Sequence, residues 1–331
     1  MPDKGPRPMT SNRPSGPTFL HWPRISLDDI TPGMIVATGA PCGWTGSGPG
    51  PEYAPEAIRK ASHGIHWRWS EPPEGEVVDI MDGSVMRLKD GAGFGDVGDI
   101  AIYNPQLDRT RASISEMTYD IAKRGGIPLC FGGDHYVSFP MIEGVARARG
   151  GKLGYIQVDA HLDLQDHNPN HGHHWHGSNA RRVAELDEFD PQNMAWLGLL
   201  DVCWPEEWAF GVEQGCTFIT MKDIRDSTLA AQVARALEVA GAGTDAIYLT
   251  IDVDVILRAF SPGTGFTNFG GLTAWEFLEV MRLLGQHPKV AGIDIVEVNP
   301  LMDPAGTTAT LAAQGLCALL ERQVLEPRKP A

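Results

Sequence analysis

The chain has 331 residues, 42% hydrophobic and 21% charged, which is ordinary for a globular protein and enough to bury a sizeable core. Its formal net charge of −15 has the wrong sign for a nucleic-acid binder. Most of that charge reads as a soluble acidic surface, although a negative field also steers small cations inward. No apolar run approaches the roughly 18 residues that a membrane-spanning helix needs, so no membrane partner is expected.

The N-terminus, rich in Pro, Gly and Ser, lacks the apolar stretch of a secretory signal; residues 1–18 read as a flexible tail and the location as cytoplasmic. Five cysteines (Cys42, Cys130, Cys203, Cys216, Cys317) are scattered without a CxxC pair, as expected of reduced thiols, and Cys130 falls in an apolar run that reads as core. Apolar runs at 35–38, 127–131, 153–158, 194–199, 246–251 and 290–296 carry few charges and read as buried strands. Residues 53–62 read as a loop leading into a helix. Residues 114–124 and 229–240 read as helices, and so do residues 272–284, where Thr273 and Glu276 form a capping box. Strands alternating with helices, and no linker after residue 18, predict a single-domain three-layer α/β/α fold over 19–331 with a mainly parallel sheet. Ligands of such sheets collect at the carboxyl ends of the strands.

Three of those ends carry polar clusters. Gly132-Gly133-Asp134-His135 follows the 127–131 strand, Asp159-Ala160-His161-Leu162-Asp163 follows 153–158, and Asp252-Val253-Asp254 follows 246–251. Residues two apart on an extended chain share a face, so Asp159, His161 and Asp163 can converge, as can Asp252 and Asp254. A lone DxD is often a cap or turn and a lone GGDH only a turn. Together these acids and imidazoles would repel or take up protons unless a cation compensates. Two divalent metals would do so, and mixed Asp and His ligands suit Mn²⁺, Zn²⁺, Ni²⁺ or Fe better than Mg²⁺ or Ca²⁺.

On these motifs the chain resembles the ureohydrolase family of arginase, agmatinase and guanidinobutyrase. Also matching are Ser261-Pro262-Gly263-Thr264-Gly265, Gly270-Gly271-Leu272-Thr273 and Asp294 through Pro300, with weaker echoes at Gly95 to Asp99 and Ala54 to Arg59. The resemblance implies an arginase-like fold and hydrolysis of a C–N bond in a small cationic guanidine-like substrate by a metal-bridging hydroxide, releasing urea or a urea derivative with an amine or ammonia. It implies His135, Asp159, Asp163 and Asp252 as ligands of one metal, and Asp159, His161, Asp252 and Asp254 as ligands of the other. Glu297 resembles the carboxylate that holds the guanidinium, and His176 the histidine that shuttles protons, with Asp163 assisting at the leaving nitrogen. The metal pair expected is Mn²⁺ or Ni²⁺, and the assembly a homo-oligomer, trimer or hexamer.

The chain departs from the family pattern near the expected pocket. Tyr136 replaces a Ser, Leu257-Arg258 an Asp-Pro pair, Phe266-Thr267-Asn268 a Thr-Pro-Glu, and Leu200 the Arg of a Gly-Ile-Arg strand end; Cys42-Gly43 stand where an Asp is common. Trp175, Phe266 and Asn268 are the substrate-binding candidates, and with Phe269 they leave free guanidine, an alkylguanidine or a biguanide as open as agmatine or a guanidino acid. The histidines His167, His171, His173 and His174 read as a solvated active-site loop, with separate metal binding as the lesser reading. Two alternatives remain open: a support subunit in a hetero-oligomer with an active paralogue, and a single-zinc deacetylase-like hydrolase of the same architecture.

Overall fold

A computed structural model describes residues 16–46, 48–66, 76–80, 83–89 and 92–327. Its main sheet has eight strands: β1 (Ile35–Gly39), β4 (Phe94–Asp99), β5 (Ile127–Phe131), β6 (Leu153–Val158), β7 (Phe189–Leu199), β8 (Thr217–Thr220), β9 (Ala246–Asp252) and β10 (Val290–Val296). They lie in the order β4-β1-β5-β10-β9-β6-β7-β8, and every neighbouring pair is parallel. The strands β1, β6, β9 and β10 are buried at every residue, as uninterrupted apolar runs require when both faces are covered.

Alternation along these strands divides the core in two. Ile35, Leu129, Ile156 and Ile293 point into one cluster with Ile58 of α1 (Ala54–Ser62), Ala236 of α7 (Leu229–Gly241), Phe277 of α8 (Ala274–Leu284) and Leu316 of α9 (Thr307–Val324). Val36, Cys130, Tyr155 and Tyr248 point into the other, with Met117 of α2 (Leu107–Lys123), Ile142 of α3 (Ser138–Arg149) and Val183 of α4 (Asn179–Ala184). Helices therefore cover both faces, giving the expected three layers. Two shorter helices, α5 (Pro205–Gln214) and α6 (Met221–Asp226), flank β8.

The capping box at Thr273 and Glu276 forms as expected: Glu276 Oε2 accepts from Thr273 N, and Thr273 Oγ1 from Glu276 N. Helix α2 begins seven residues before the expected start, because its first turns are held by ion pairs such as Arg111–Glu143 rather than by an apolar stripe. Strand β7 is longer than expected for a similar reason: its first half is polar and partly exposed. A small antiparallel sheet of β2 (Glu76–Val78), β3 (Val85–Leu88) and β11 (Leu325–Pro327) was not expected; its strands are too short to show a period. All five cysteines are free, and Cys130 is buried as read. No helix among the described residues is long and apolar enough to cross a membrane.

Most of the expected N-terminal tail lies outside the described residues, and the segment that follows it is anchored. Phe19 and Leu20 are buried, and Phe19 N donates to Asp96 Oδ2 at 3.0 Å. Asp96, fully buried on β4, also accepts from Arg59 Nε at 2.8 Å, Arg24 Nη1 at 3.0 Å and Gly98 N at 2.8 Å. Arg59 pairs with Asp99 as well. This network ties α1 and the N-terminal segment to the sheet edge. Replacing Arg59 by Leu strands Asp96 among partial donors, and the expected cost is about 3 kcal/mol in urea unfolding; an unchanged midpoint would show that the network contributes nothing.

Candidate active site

The strands β5, β10, β9 and β6 are consecutive neighbours in the middle of the sheet. His135, Glu297, Asp252 and Asp159 follow or close these strands, so parallel pairing alone brings their carboxyl ends together. His135 opens a 3₁₀ turn after Gly132-Gly133-Asp134. Gly133 is needed for contact rather than flexibility: a Cβ there would lie 1.6 Å from the Cys42 carbonyl oxygen. Asp134 is buried and accepts from Thr45 N and Oγ1 at 2.8 and 2.7 Å, holding the loop after β1 over the site. Burial pushes its carboxyl up to about 6 against those hydrogen bonds.

The six residues read from sequence converge. His135 Nδ1 lies 2.8 Å from Asp163 Oδ2 and 3.2 Å from Oδ2 of both Asp159 and Asp252. His161 Nδ1 lies 3.0 Å from Asp254 Oδ2 and 3.5 Å from Asp159 Oδ1. Two groups present their ligand atoms within 4.8 Å of one another: His135, Asp159 and Asp252, and Asp159, His161 and Asp254. Asp159 belongs to both. Asp163 stands outside these groups but against His135, and Asp252 belongs to the first alone.

The electrostatics point to a missing positive charge. Burial, then the charges of Asp254 and Asp159, push Asp252 well above the usual carboxylate range; burial raises Asp254 to about 6 and also raises Asp163. His135 overcomes its burial to rise well above an ordinary imidazole, chiefly through Asp163, and His161 rises through Asp254. Asp159 falls below its usual value despite burial, through hydrogen bonds with both histidines. Protons shared in this way stand in for cations. The donor set is also arranged for metal. Thr250 Oγ1 donates to Asp294 Oδ1 at 2.7 Å, which leaves its lone pair for His135 Nε2 at 3.1 Å. That bond holds a ring proton on Nε2 and aims the buried Nδ1 at the carboxylates, where its lone pair faces a bound ion once the shared proton is displaced. The residues thus fit a pair of divalent ions.

Around this cluster lies a cavity of about 670 Å³. Glu297, 3% exposed, lines it, and its Oε1 accepts from His135 N at 2.8 Å. Asp163 and Glu297 both hold left-handed backbone, φ 52° and 62°, a strained state found where function fixes the chain. His176 also lines the cavity, 4.6 Å from the Trp175 ring and 5.7 Å from Phe266. Gly46 packs against it so closely that a Cβ would come within 2.3 Å of the ring. Burial, then the charge of His135, lower His176 to about 3, so the ring is neutral. Trp175 and Phe266, two of the substrate-binding candidates, line the cavity.

Asn268, expected at the substrate, is not a wall. Its amide bonds the Asp254 carbonyl and accepts from Gly270 N and Gly271 N at 3.1 and 2.6 Å, so it clamps its own loop. The loop histidines also stay apart from the cluster: His174 stacks on Phe139, His167 meets His173 edge-on, and His171 stacks on Trp175. Among the described residues, none of them joins a metal-capable group. Sequence reasoning missed Thr250 and Asp294 behind His135, which are polar residues inside apolar strands. It also missed Glu207, a cavity wall whose only signal was an acid in the first turn of a helix opening with Pro205.

A family model described as arginase family matches residues 34–321. A guanidinopropionase from Pseudomonas aeruginosa is 30% identical over 309 residues, covering 92% of this chain and 90% of that protein. Among solved structures, formimidoylglutamase from Bacillus subtilis superposes with a TM-score of 0.80 at 24% identity, over 95% of this chain and 94% of the other. A formiminoglutamase from Trypanosoma cruzi, solved with Mn²⁺, gives 0.77 at 21% identity over 92% and 98%.

Replacing Thr250 by Val removes the partner that fixes the His135 tautomer. Metal affinity, measured by competition with a chromogenic chelator, is expected to fall about 10- to 100-fold; unchanged affinity would place Thr250 outside the site's support.

Proposed function

The chain belongs to the arginase family and is a hydrolase of non-peptide C–N bonds in linear amidines; on that premise we propose that it cleaves a small guanidino compound at a two-metal centre. One observation carries the reading: six His and Asp side chains from three separate motifs meet at the strand ends in the middle of the sheet, and five of them line one cavity with Glu297. His135, Asp159, Asp163 and Asp252 would hold one ion, and Asp159, His161, Asp252 and Asp254 the other. Two ions of this kind, when bound, supply a water acidified toward neutrality and positive charge at the reacting carbon.

The protein's own groups supply the rest. Glu297, fixed through His135 N, receives the planar guanidinium by paired, charge-assisted hydrogen bonds. It thereby sets the carbon of that group over the metal cluster. His176, neutral and walled by Trp175 and Phe266, can take up the proton that the attacking water gives up and is placed to pass it to the departing nitrogen, which must leave as an uncharged amine or ammonia. Asp163, held by Asn179 Nδ2 at 2.7 Å, is the nearer carboxyl for the same proton. Two ligand groups sharing Asp159 favour a pair of ions over a single-zinc hydrolase. Manganese is the first ion to try, given the Mn²⁺ of the trypanosomal relative, and nickel the second; a homo-oligomer is the expected assembly.

Loaded with Mn²⁺ or Ni²⁺, the protein is expected to hydrolyse at least one of agmatine, arginine, guanidinobutyrate, guanidinopropionate, guanidine and dimethylbiguanide. Elemental analysis should give two ions per chain. Asp252→Asn should lower kcat by about a thousandfold or more and reduce bound metal. Two ions bound with no turnover of any of these compounds would sink the reading. Separately, Glu297→Gln should cost about 2 kcal/mol in kcat/KM by removing one charged partner of the guanidinium; an unaltered kcat/KM would move guanidinium recognition elsewhere.

A further inference from the structure

The cavity is larger than a guanidinium needs. Beyond the metal cluster it runs to the first turn of α5, where Trp204, Glu207 and Trp208 form its wall. Glu207 is the unusual member. It is only 6% exposed although it faces a solvent-accessible space. Its hydrogen-bond partner is the neutral Gln165, and no lysine or arginine among the described residues pairs with it. Asp163 and Glu206 add negative charge around it, and the more distant influence of His161 opposes them only in part. A buried carboxylate without a cation is costly, and such groups persist where a ligand supplies the missing charge.

We infer that Glu207 is a second cation-binding position in the substrate cavity, so that the preferred substrate carries a second cationic nitrogen beyond its guanidinium. This rests on the proposed function, which seats the guanidinium at Glu297. The tryptophans support the same ligand. Trp208 is braced against Phe218 at 5.3 Å, and Trp175 is stacked on His171, so both present fixed rings to the cavity. Indole faces attract ammonium and amidinium groups. Burial, then the charge of Asp163, raise the Glu207 carboxyl to about 7, and a bound cation would reverse that shift.

The inference runs against the sequence similarity. The guanidinopropionase relative is named for a guanidino acid, whose tail ends in a carboxylate. Here that carboxylate would enter a cavity walled by Asp201 and Glu207 in addition to the site's own acids. The one lysine among its described walls, Lys222, is 82% exposed at its side chain and already paired with Asp226. A tail bearing positive charge is attracted by the same wall that repels an acid.

The test uses the full metal-loaded chain and three guanidines of matched length: agmatine with an ammonium tail, butylguanidine with a neutral tail, and 4-guanidinobutyrate with an acidic one. At about pH 8.5, where Glu207 is ionised, kcat/KM is expected to fall in that order, by at least about tenfold from first to last. Glu207→Gln should collapse the preference for agmatine over butylguanidine, through KM, and Glu207→Lys should move it toward 4-guanidinobutyrate. A wild-type preference for the acid, or a Gln variant that keeps the agmatine to butylguanidine ratio, would overturn the inference. If the metal-loaded protein hydrolyses none of the three, turnover of the wider guanidine panel decides the proposed function on its own, and calorimetric binding of agmatine and butylguanidine still decides the role of Glu207. Weaker agmatine binding in the Gln variant would support it, and equal binding would overturn it.

Discussion

Carboxylates and imidazoles crowd within about 3 Å of one another where four neighbouring parallel strands end. In a buried setting this arrangement is tolerable only with added positive charge, from protons or from metal ions. Much of the surrounding structure exists to hold that crowd together. The sheet provides the first constraint. Parallel register places β5, β10, β9 and β6 side by side, so the residues that close or follow these strands fall into the same small space. An antiparallel neighbour at any of these positions would point its carboxyl end away and dissolve the cluster.

The second constraint is the shell behind the acids. His135 is turned by Thr250, which is turned by Asp294, which also accepts from Ser138 at 3.0 Å. Asp159 is fixed by Gln157 at 2.6 Å, and Gln157 by Tyr155. Asp252 accepts from Asp254 N, so the two acids of that motif set each other's direction. His135, Asp252 and Asp254 thus each have one oxygen or nitrogen committed to the protein and another turned toward the cluster. Left-handed backbone at Asp163 and Glu297 belongs to the same economy. Asp tolerates φ near 60° better than most residues, but Glu does not, and Glu297 is held there by the site around it.

The parts of this design that sequence made legible are those written in local pattern. A run such as Leu153–Val158 followed by alternating Asp and His announces both a buried strand and what its end carries. The Thr273 and Glu276 capping box marks its helix to within a residue. What stayed hidden depends on tertiary contact. Thr250 and Asp294 interrupt apolar strands with no local sign that they face His135. The polar first half of α2 is helical because of ion pairs with another helix. Asn268 lies beside true cavity walls in sequence, yet its short amide finds backbone partners within its own loop before it can reach the cavity. Glu207 looks like an ordinary first-turn acid, and only the fold shows that it is buried.

That last residue separates what the family gives from what the chain adds. The metal-capable cluster sits on the strand ends, where fold and chemistry are bound together and change in one would cost the other. The far wall of the cavity rests on α5 and its approach, at the outer end of the sheet beside β8, where substitutions disturb little of the core. Here the strand end reads Gly198-Leu199-Leu200, followed by Asp201 in left-handed backbone and the exposed Val202 and Trp204. Leucines and tryptophans provide shape and aromatic faces but no positive charge, while Asp201 and Glu207 provide negative charge. On the proposed function and the inference drawn for Glu207, a cavity so composed discriminates at its distant end by the sign of the substrate's tail, and at its near end by the geometry of a planar cation. Overall similarity to a relative averages over the whole chain; on that reading the choice among guanidines falls to the few residues at the far end.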